Sequence, residues 1–379
     1  MVSNLSQGKL TVLHVVEGFD KGAVENWLLR TFLYSKEKED SINWIFLCYG
    51  NSDEAKLKLL REKGATVWES PVKVSKIISF WIFLRSVVSR TKPDIVHAHH
   101  DYLSGLYMIG LLGAPIKKIV QVHNTDRDLP IRPGHKKRIS FWISEFALKC
   151  CVDEIIFISN VVRDYFFEKS FVPNSYKVLY YGVQQPREIK DAKKILKSKF
   201  GVKRDEFVIL FVGRLNPVKN PIKFLQILAV LKSQGIKFKG ILLGEGNLKP
   251  ELKRLAKILN LQKELINVGF TREVSLFYQG SDIFLFPRVK HPVEGLGLTV
   301  VEAQMNGARV LTSDGVSHEV TLPGSMIRFL DSELPNENWA DHLIEMLHTT
   351  FSYNIENADL ASFSLSQSLK AYLKMYNSL

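Results

Sequence analysis

The feature that most constrains this chain is a rhythm. Short β-branched and aliphatic runs alternate with longer helical patterns: LTVLHVV, then VENWLLRTFL, then NWIFLCYG, with DIVHAHH, KIVQVHN, EIIFIS and KVLYYGV following. Runs this apolar read as strands buried on both faces, and strands separated by helices run parallel, so the pattern predicts a sheet covered by crossover helices. The rhythm breaks at QQPREIKDAKKILKSKFGVKRDE, a proline-bearing charged stretch, and restarts with FVILFVGRL, GILLGEG, LINVGF, DIFLFP, ARVLTSD and MIRFL. A length of 379 residues exceeds the comfortable size of one hydrophobic core. Two doubly wound α/β domains are therefore expected: a first over 1–184, a linker over 185–200 and a second over 201–363, with a C-terminal helix at 364–379 packing back on the first. Ligands of such folds meet the carboxyl ends of the strands.

Two strand ends in the second half carry matching chemistry. In FVGRLNPVKN a buried strand ends at Gly213, and Arg214 and Lys219 follow before a helix that starts near Asn220–Pro221. Two cations beside a helix start form a diphosphate clamp that needs no metal; surface basic residues in a loop are the plainer reading. In PVEGLGLTVVEAQ, Glu294 lies in the loop before a helix starting near Gly297–Leu298, where its carboxylate can accept hydrogen bonds from sugar hydroxyls. Gly295 and Gly297 let backbone amides approach phosphate oxygens, and the helix dipole favours that anion. Glu302, one and a half turns into the helix, is within reach of a ribose diol. A helix-start acid and a solvated helix glutamate are the alternatives.

Composition narrows the class. A net charge of +12 suggests an anionic partner, but the charge is spread over both halves and no recognised nucleic-acid motif is present, so none is expected as a partner. The three cysteines, Cys48, Cys150 and Cys151, are odd in number with two adjacent, a poor basis for disulfides or a metal site. No apolar run reaches the ~18–20 residues that span a bilayer, and MVSNLSQGKL does not read as a leader. A cytoplasmic protein is expected.

In HAHHDYLSG, His97 and His99 share one strand face while His100 takes the other, so this run alone does not converge three ligands on a metal. VKVSKIISFWIFLRSVVSR (72–90) reads as a helix with a narrow serine stripe and a broad apolar surface, either a crossover helix or a membrane-surface helix. RPGHKKRISFW (132–142) clusters Arg132, His135, Lys136, Lys137 and Arg138 ahead of Phe141 and Trp142, either a solvated loop or a site for an anionic lipid headgroup.

The second half resembles family 4 glycosyltransferases of the GT-B fold, which carry a Gly-Arg-Leu-x3-Lys loop, a Gly-x-Gly turn and a Glu-x7-Glu element. Here these are Gly213-Arg214-Leu215 with Lys219, Gly244-Glu245-Gly246, and Glu294 to Glu302; VGFTRE adds Phe270–Thr271, where the family's backbone meets the base. The resemblance implies two Rossmann-like domains facing each other across a cleft. It implies an enzyme that moves a sugar from a nucleoside diphosphate donor, a UDP-sugar or GDP-sugar, with retention and without a metal or other cofactor. The acceptor it implies is a lipid-linked or other saccharide in surface polysaccharide assembly, met at the inner face of the plasma membrane as a peripheral protein. In the first half, Gly22 of Gly22-Ala23-Val24-Glu25 resembles the family's glycine-rich turn, His123 its strand-end histidine near the reacting sugar, and Ser159-Asn160 its Ser-x-x-Val region. Tyr181-Gly182-Val183 departs from the usual Asn-Gly-Val, and Gly307-Ala308-Arg309-Val310 from Gly-x-Pro-Val. Ala23 and Tyr181 keep open a non-catalytic sugar-nucleotide-binding protein of the same fold, and the shared architecture keeps open a nucleotide-sugar epimerase.

Overall fold

A computed structural model describes residues 9–20, 22–38, 41–125, 135–352 and 362–379, with 135–139 described by backbone alone. The chain forms two compact units, Met1–Gly182 with Leu365–Leu379, and Val183–Ser364. The first changeover thus falls at Gly182–Val183, and the stretch read as a linker belongs to the second unit.

The strands of the first unit are β1 (Leu10–Val16), β2 (Ile42–Cys48), β3 (Thr66–Glu69), β4 (Ile95–Ala98), β5 (Lys117–Val122), β6 (Glu154–Phe157) and β7 (Tyr176–Val178). They form a parallel sheet in the order β3-β2-β1-β4-β5-β6-β7. The helices are α1 (Ala23–Lys38), α2 (Glu54–Glu62), α3 (Ile77–Thr91), α4 (Ser104–Ile109), α5 (His135–Cys151) and α6 (Asn160–Lys169). Local chemistry starts two of them: Asp53 accepts from the Ala55 amide at α2 (2.9 Å) and Ser159 from the Val162 amide at α6 (3.1 Å).

The second unit contains α7 (Ala192–Lys199), α8 (Pro221–Ser233), α9 (Lys249–Ile258), α10 (Val274–Gly280), α11 (Leu298–Met305) and α12 (Asn336–His348). Its strands are β8 (Phe207–Val212), β9 (Phe238–Leu243), β10 (Leu265–Gly269), β11 (Ile283–Phe286), β12 (Val310–Ser313) and β13 (Ile327–Leu330), parallel in the order β10-β9-β8-β11-β12-β13. β4, β6, β11 and β12 are buried at every position, which explains why they lack the apolar-polar alternation of a strand with one solvent face.

The chain ends in α13 (Leu365–Tyr376), which returns to the first unit. Its Leu369, Tyr372, Met375 and Tyr376 are buried, and fully burying an apolar side chain of this size contributes about 1.5–3 kcal/mol. In both sheets the strand order reverses beside the first strand, between β1 and β4 and between β8 and β11. Those two switch points are where an open α/β sheet leaves room for a ligand.

Candidate active site

At the β8/β11 switch point the chain assembles a charged cluster. β8 runs into Gly213 and an exposed Arg214, whose loop is held by the Gly244-Glu245-Gly246 turn: the Leu215 amide donates to the Glu245 carbonyl (3.0 Å) and the Gly213 amide to the Leu243 carbonyl (3.0 Å). A Cβ at Gly244 would sit 1.9 Å from the Gly213 carbonyl oxygen and one at Gly246 2.3 Å from that of Leu215. Only glycine lets these two backbones interlock, and Gly244, at φ +141°, is strained for any other residue. Lys219 closes a 3₁₀ turn in which its amide donates to Asn216 Oδ1 (3.0 Å); Asn220 then caps α8, with Pro221 at its first position.

Lys219 Nζ donates to Glu294 Oε1 at 2.6 Å. Glu294 Oε2 lies 2.7 Å from Nε of Arg288, a residue only 3% exposed. The Arg288 Nη1 donates to the carbonyls of Val289 and Gly315, both at 3.0 Å, and the Gly315 carbonyl also accepts from the Glu294 amide at 2.8 Å. Burial opposes ionisation of Glu294, but Lys219 and Arg288 outweigh it and hold the carboxyl below the usual range. Burial pulls the Lys219 ammonium down against the attraction of Glu294, with the charges of Arg288 and Arg214 adding to the pull. One carboxylate thus answers two cations, and Arg214, with no ion pair among the described residues, adds a third. A surplus of buried positive charge is a receptor for an anion.

Next to the cluster, α11 begins at Gly297, in the left-handed region at φ +70°, with no side-chain cap on its first amides. Glu302 is half-buried on α11. Phe270, 78% exposed, projects just beyond β10, and Thr271 accepts from the Glu273 amide at 3.1 Å.

At the β1/β4 switch point the buried histidine and glutamine side chains are neutral. His14 pairs in register with His97 across β1 and β4, and His99 continues the same face. His14 Nδ1 and His99 Nε2 share a hydrogen bond at 3.0 Å, His97 Nδ1 meets the Tyr376 hydroxyl at 2.8 Å, and Gln121 donates to the Tyr372 hydroxyl at 2.6 Å. His100 turns to the opposite face, bonded to Tyr107 and stacked on Tyr49. The first-half sequence therefore places its histidines as the strand alternation requires, and His14, 83 residues from His97, completes a buried trio. Burial lowers all three, His14 to about 3. Among the described residues no carboxylate or thiolate joins the trio, and two of its ring nitrogens, on His14 and His99, are paired with each other.

His123 follows β5 and is 4% exposed. Its amide donates to Asp101 Oδ1 (2.5 Å) and Asn124 donates to Asp101 Oδ2 (2.8 Å). Gly22 precedes α1; a Cβ there would meet the Glu25 carboxylate at 1.9 Å, and Ala23 is the first helical residue. Arg309 donates to the Thr349 carbonyl (2.8 Å) and stays out of the cluster. α3 buries Phe80, Leu84 and Val87, as a crossover helix does, and leaves Ile78 and Ile82 66% and 67% exposed. Of the 132–142 segment, Arg132 and the side chains of His135, Lys136, Lys137 and Arg138 lie outside the described residues; Phe141 is buried and Trp142 is 75% exposed.

The structure thus brings Arg214, Lys219, Glu294 and the start of α11 to one pair of adjacent strands, while His123 and Gly22 belong to the other unit. Arg288 was missed by sequence reasoning. Its signal, a basic residue directly after a strand-ending proline, is that of any surface loop.

The fold and this charged strand-end cluster define a GT-B glycosyltransferase. A family model described as "Glycosyl transferases group 1" matches residues 192–350 and one described as "Glycosyltransferase Family 4" matches 42–185, so the chain belongs to glycosyltransferase family 4. EpsF of Bacillus subtilis (strain 168) is 24% identical, covering 98% of both chains. The UDP-Gal:alpha-D-GlcNAc-diphosphoundecaprenol alpha-1,3-galactosyltransferase of Escherichia coli is 27% identical over 64% of this chain and 63% of its own. Among solved structures, Anabaena Alr3699/HepE in complex with UDP-glucose superposes with a TM-score of 0.76 at 17% identity, covering 98% of this chain and all of that one.

Proposed function

We propose that this glycosyltransferase moves a sugar from a nucleoside diphosphate donor to a lipid-linked saccharide in glycan assembly, with retained configuration and no metal. The observation that carries the reading is the cationic surplus around Glu294: Lys219, Arg288 and Arg214 against one carboxylate. In the transfer the bond from the sugar's anomeric carbon to the diphosphate oxygen breaks, a bond to an acceptor hydroxyl oxygen forms, and that hydroxyl's proton passes to the departing diphosphate. Negative charge builds on the departing diphosphate, and Arg214, Lys219 and the α11 amides are suited to neutralise it. Glu294 is assigned to the hydroxyls of the donor sugar, Glu302 to the ribose, the backbone at Phe270–Thr271 to the base, and Gly22 to the approach of a phosphate oxygen. His123 is assigned to the transferred sugar.

The relatives support the donor and acceptor classes: HepE was solved with UDP-glucose, and the Escherichia coli relative is named for a UDP-galactose donor and a diphosphoundecaprenol-linked acceptor. Among the described residues no helix is long and apolar enough to cross a membrane. Ile78 and Ile82, one turn apart on α3, and Trp142 and Phe146, one turn apart on α5, expose apolar faces suited to the surface of a bilayer that holds the acceptor.

The deciding experiment is turnover with UDP- and GDP-sugars in chelator, offered a diphosphate-linked lipid saccharide or a free saccharide, with and without anionic vesicles. Transfer to the lipid-linked acceptor in chelator, rising with anionic lipid and falling with salt, is expected. A requirement for Mg²⁺, or salt-independent activity on the free saccharide alone, overturns the corresponding part. Interconversion of donor sugars without any acceptor would make it an epimerase.

A further inference from the structure

The sequence departs from its family at Tyr181, and the structure gives that residue a partner. Tyr181 is 3% exposed, its ring stacks on Trp27 of α1 (centroids 4.4 Å apart, planes at 26°), and its hydroxyl meets His123 Nδ1. The His123 ring is also packed on His99 (5.4 Å, 23°), and its Nε2 is buried with no partner among the described residues.

Two proton arrangements fit this contact. If His123 carries its proton on Nδ1 and donates to the phenol, the buried tyrosine hydroxyl has no acceptor among the described residues for its own hydrogen, and the Nε2 lone pair is unpartnered as well. If the tyrosine donates to Nδ1, the phenol hydrogen is satisfied and only an Nε2–H waits for a partner. Burial raises the Tyr181 hydroxyl well above the usual tyrosine range, so it keeps a proton to give, and burial lowers His123 to about 3, so its ring stays neutral. Each arrangement leaves one donor unmet, so the contact itself decides: the phenol hydroxyl is the stronger donor and the imidazole nitrogen the stronger acceptor, which selects the second arrangement.

We infer that Tyr181 is a positioning residue: its hydroxyl donates to His123 Nδ1 and thereby holds His123 as the Nε2–H tautomer, a hydrogen-bond donor and not a base. This rests on the assignment of His123 to the transferred sugar, for which an Nε2–H would supply a hydrogen bond to a sugar oxygen. Asp101, by holding the His123 amide and the Asn124 side chain, fixes the backbone from which the ring is presented.

The test is ¹⁵N-histidine NMR of the full chain together with transfer kinetics. Wild type should show a His123 ring protonated at Nε2 and unprotonated at Nδ1, with the signal assigned by its absence in His123→Gln. Tyr181→Phe keeps the Trp27 stack but removes the donor. It should shift the His123 signal toward a mixture of tautomers and lower kcat about threefold to tenfold with donor KM unchanged. A wild-type ring protonated at Nδ1, or a Tyr181→Phe variant with unaltered tautomer and kcat, overturns the inference. His123→Gln with wild-type turnover would instead remove the assignment of His123 to the sugar, while the ring spectrum still reports on Tyr181.

Discussion

The two switch points of this enzyme occupy the same topological place in two parallel sheets and are built on opposite electrostatics. Between β1 and β4 the polar groups are neutral imidazoles, phenols and an amide, stacked and hydrogen-bonded in a layer that α13 helps to bury. Between β8 and β11 the groups are ionised, with Glu294 shared by Lys219 and Arg288. Buried neutral groups need only their hydrogen bonds, whereas buried charges need compensation. On the proposed function, the first unit uses its polar layer to position a ring, and the second keeps a cationic surplus for the departing diphosphate.

The comparison is most exposed to acid. A histidine held near 3 in the folded state and near 6.5 unfolded stabilises fully above 6.5 and loses that contribution as pH falls toward 3, because the unfolded chain binds the proton first. Each such group adds a slope of about 1.4 kcal/mol per pH unit in that window. Glu294 is also held low, but its contribution is complete above its ordinary 4.5 and fades only below it. Hydrogen exchange resolved by segment should lose protection in β1, β4 and β5 near pH 5 while β8 and β11 remain protected; simultaneous loss would break the contrast.

Glu294→Ala comes next. It leaves Lys219 and Arg288 facing each other without their anion and should destabilise the second unit by about 3–5 kcal/mol in denaturant titration. A loss below about 1 kcal/mol would mean that the cluster is solvated. Arg214→Ala should leave folding intact and reduce kcat/KM by roughly 10²–10³, the cost of one preorganised charge donor; unchanged turnover would remove Arg214 from the clamp. The smallest effect should come from Tyr372→Phe, which takes the hydroxyl from Gln121 and should cost about 1–2 kcal/mol of first-unit stability with donor binding unaltered. An altered affinity for nucleotide sugar would show that the two switch points do not work separately.

Much of the second unit's site was legible because its residues stand in short loops directly after recognisable strands. Arg214 and Lys219 follow β8, and Glu294 precedes α11, so local spacing alone brings these charged residues to a strand end. Arg288 was not legible: nothing local distinguishes a buried arginine from an exposed one until Glu294 and the Gly315 carbonyl are seen around it. In the first unit, strand alternation separated His97 and His99 from His100, but it could not supply His14 from another strand or Tyr376 from the far end of the chain.

The sequence by itself determined the two parallel sheets, because strand burial and helix amphipathicity are written in local periodicity. It also determined the glycines at 244 and 246, because backbone interlock admits no side chain. Only the tertiary structure decided which charges compensate one another and which ring nitrogen of His123 meets a phenol. The Lys219–Glu294 pair joins residues 75 positions apart and the Tyr181–His123 pair residues 58 apart, set by which strands and helices pack together and carried by no local pattern.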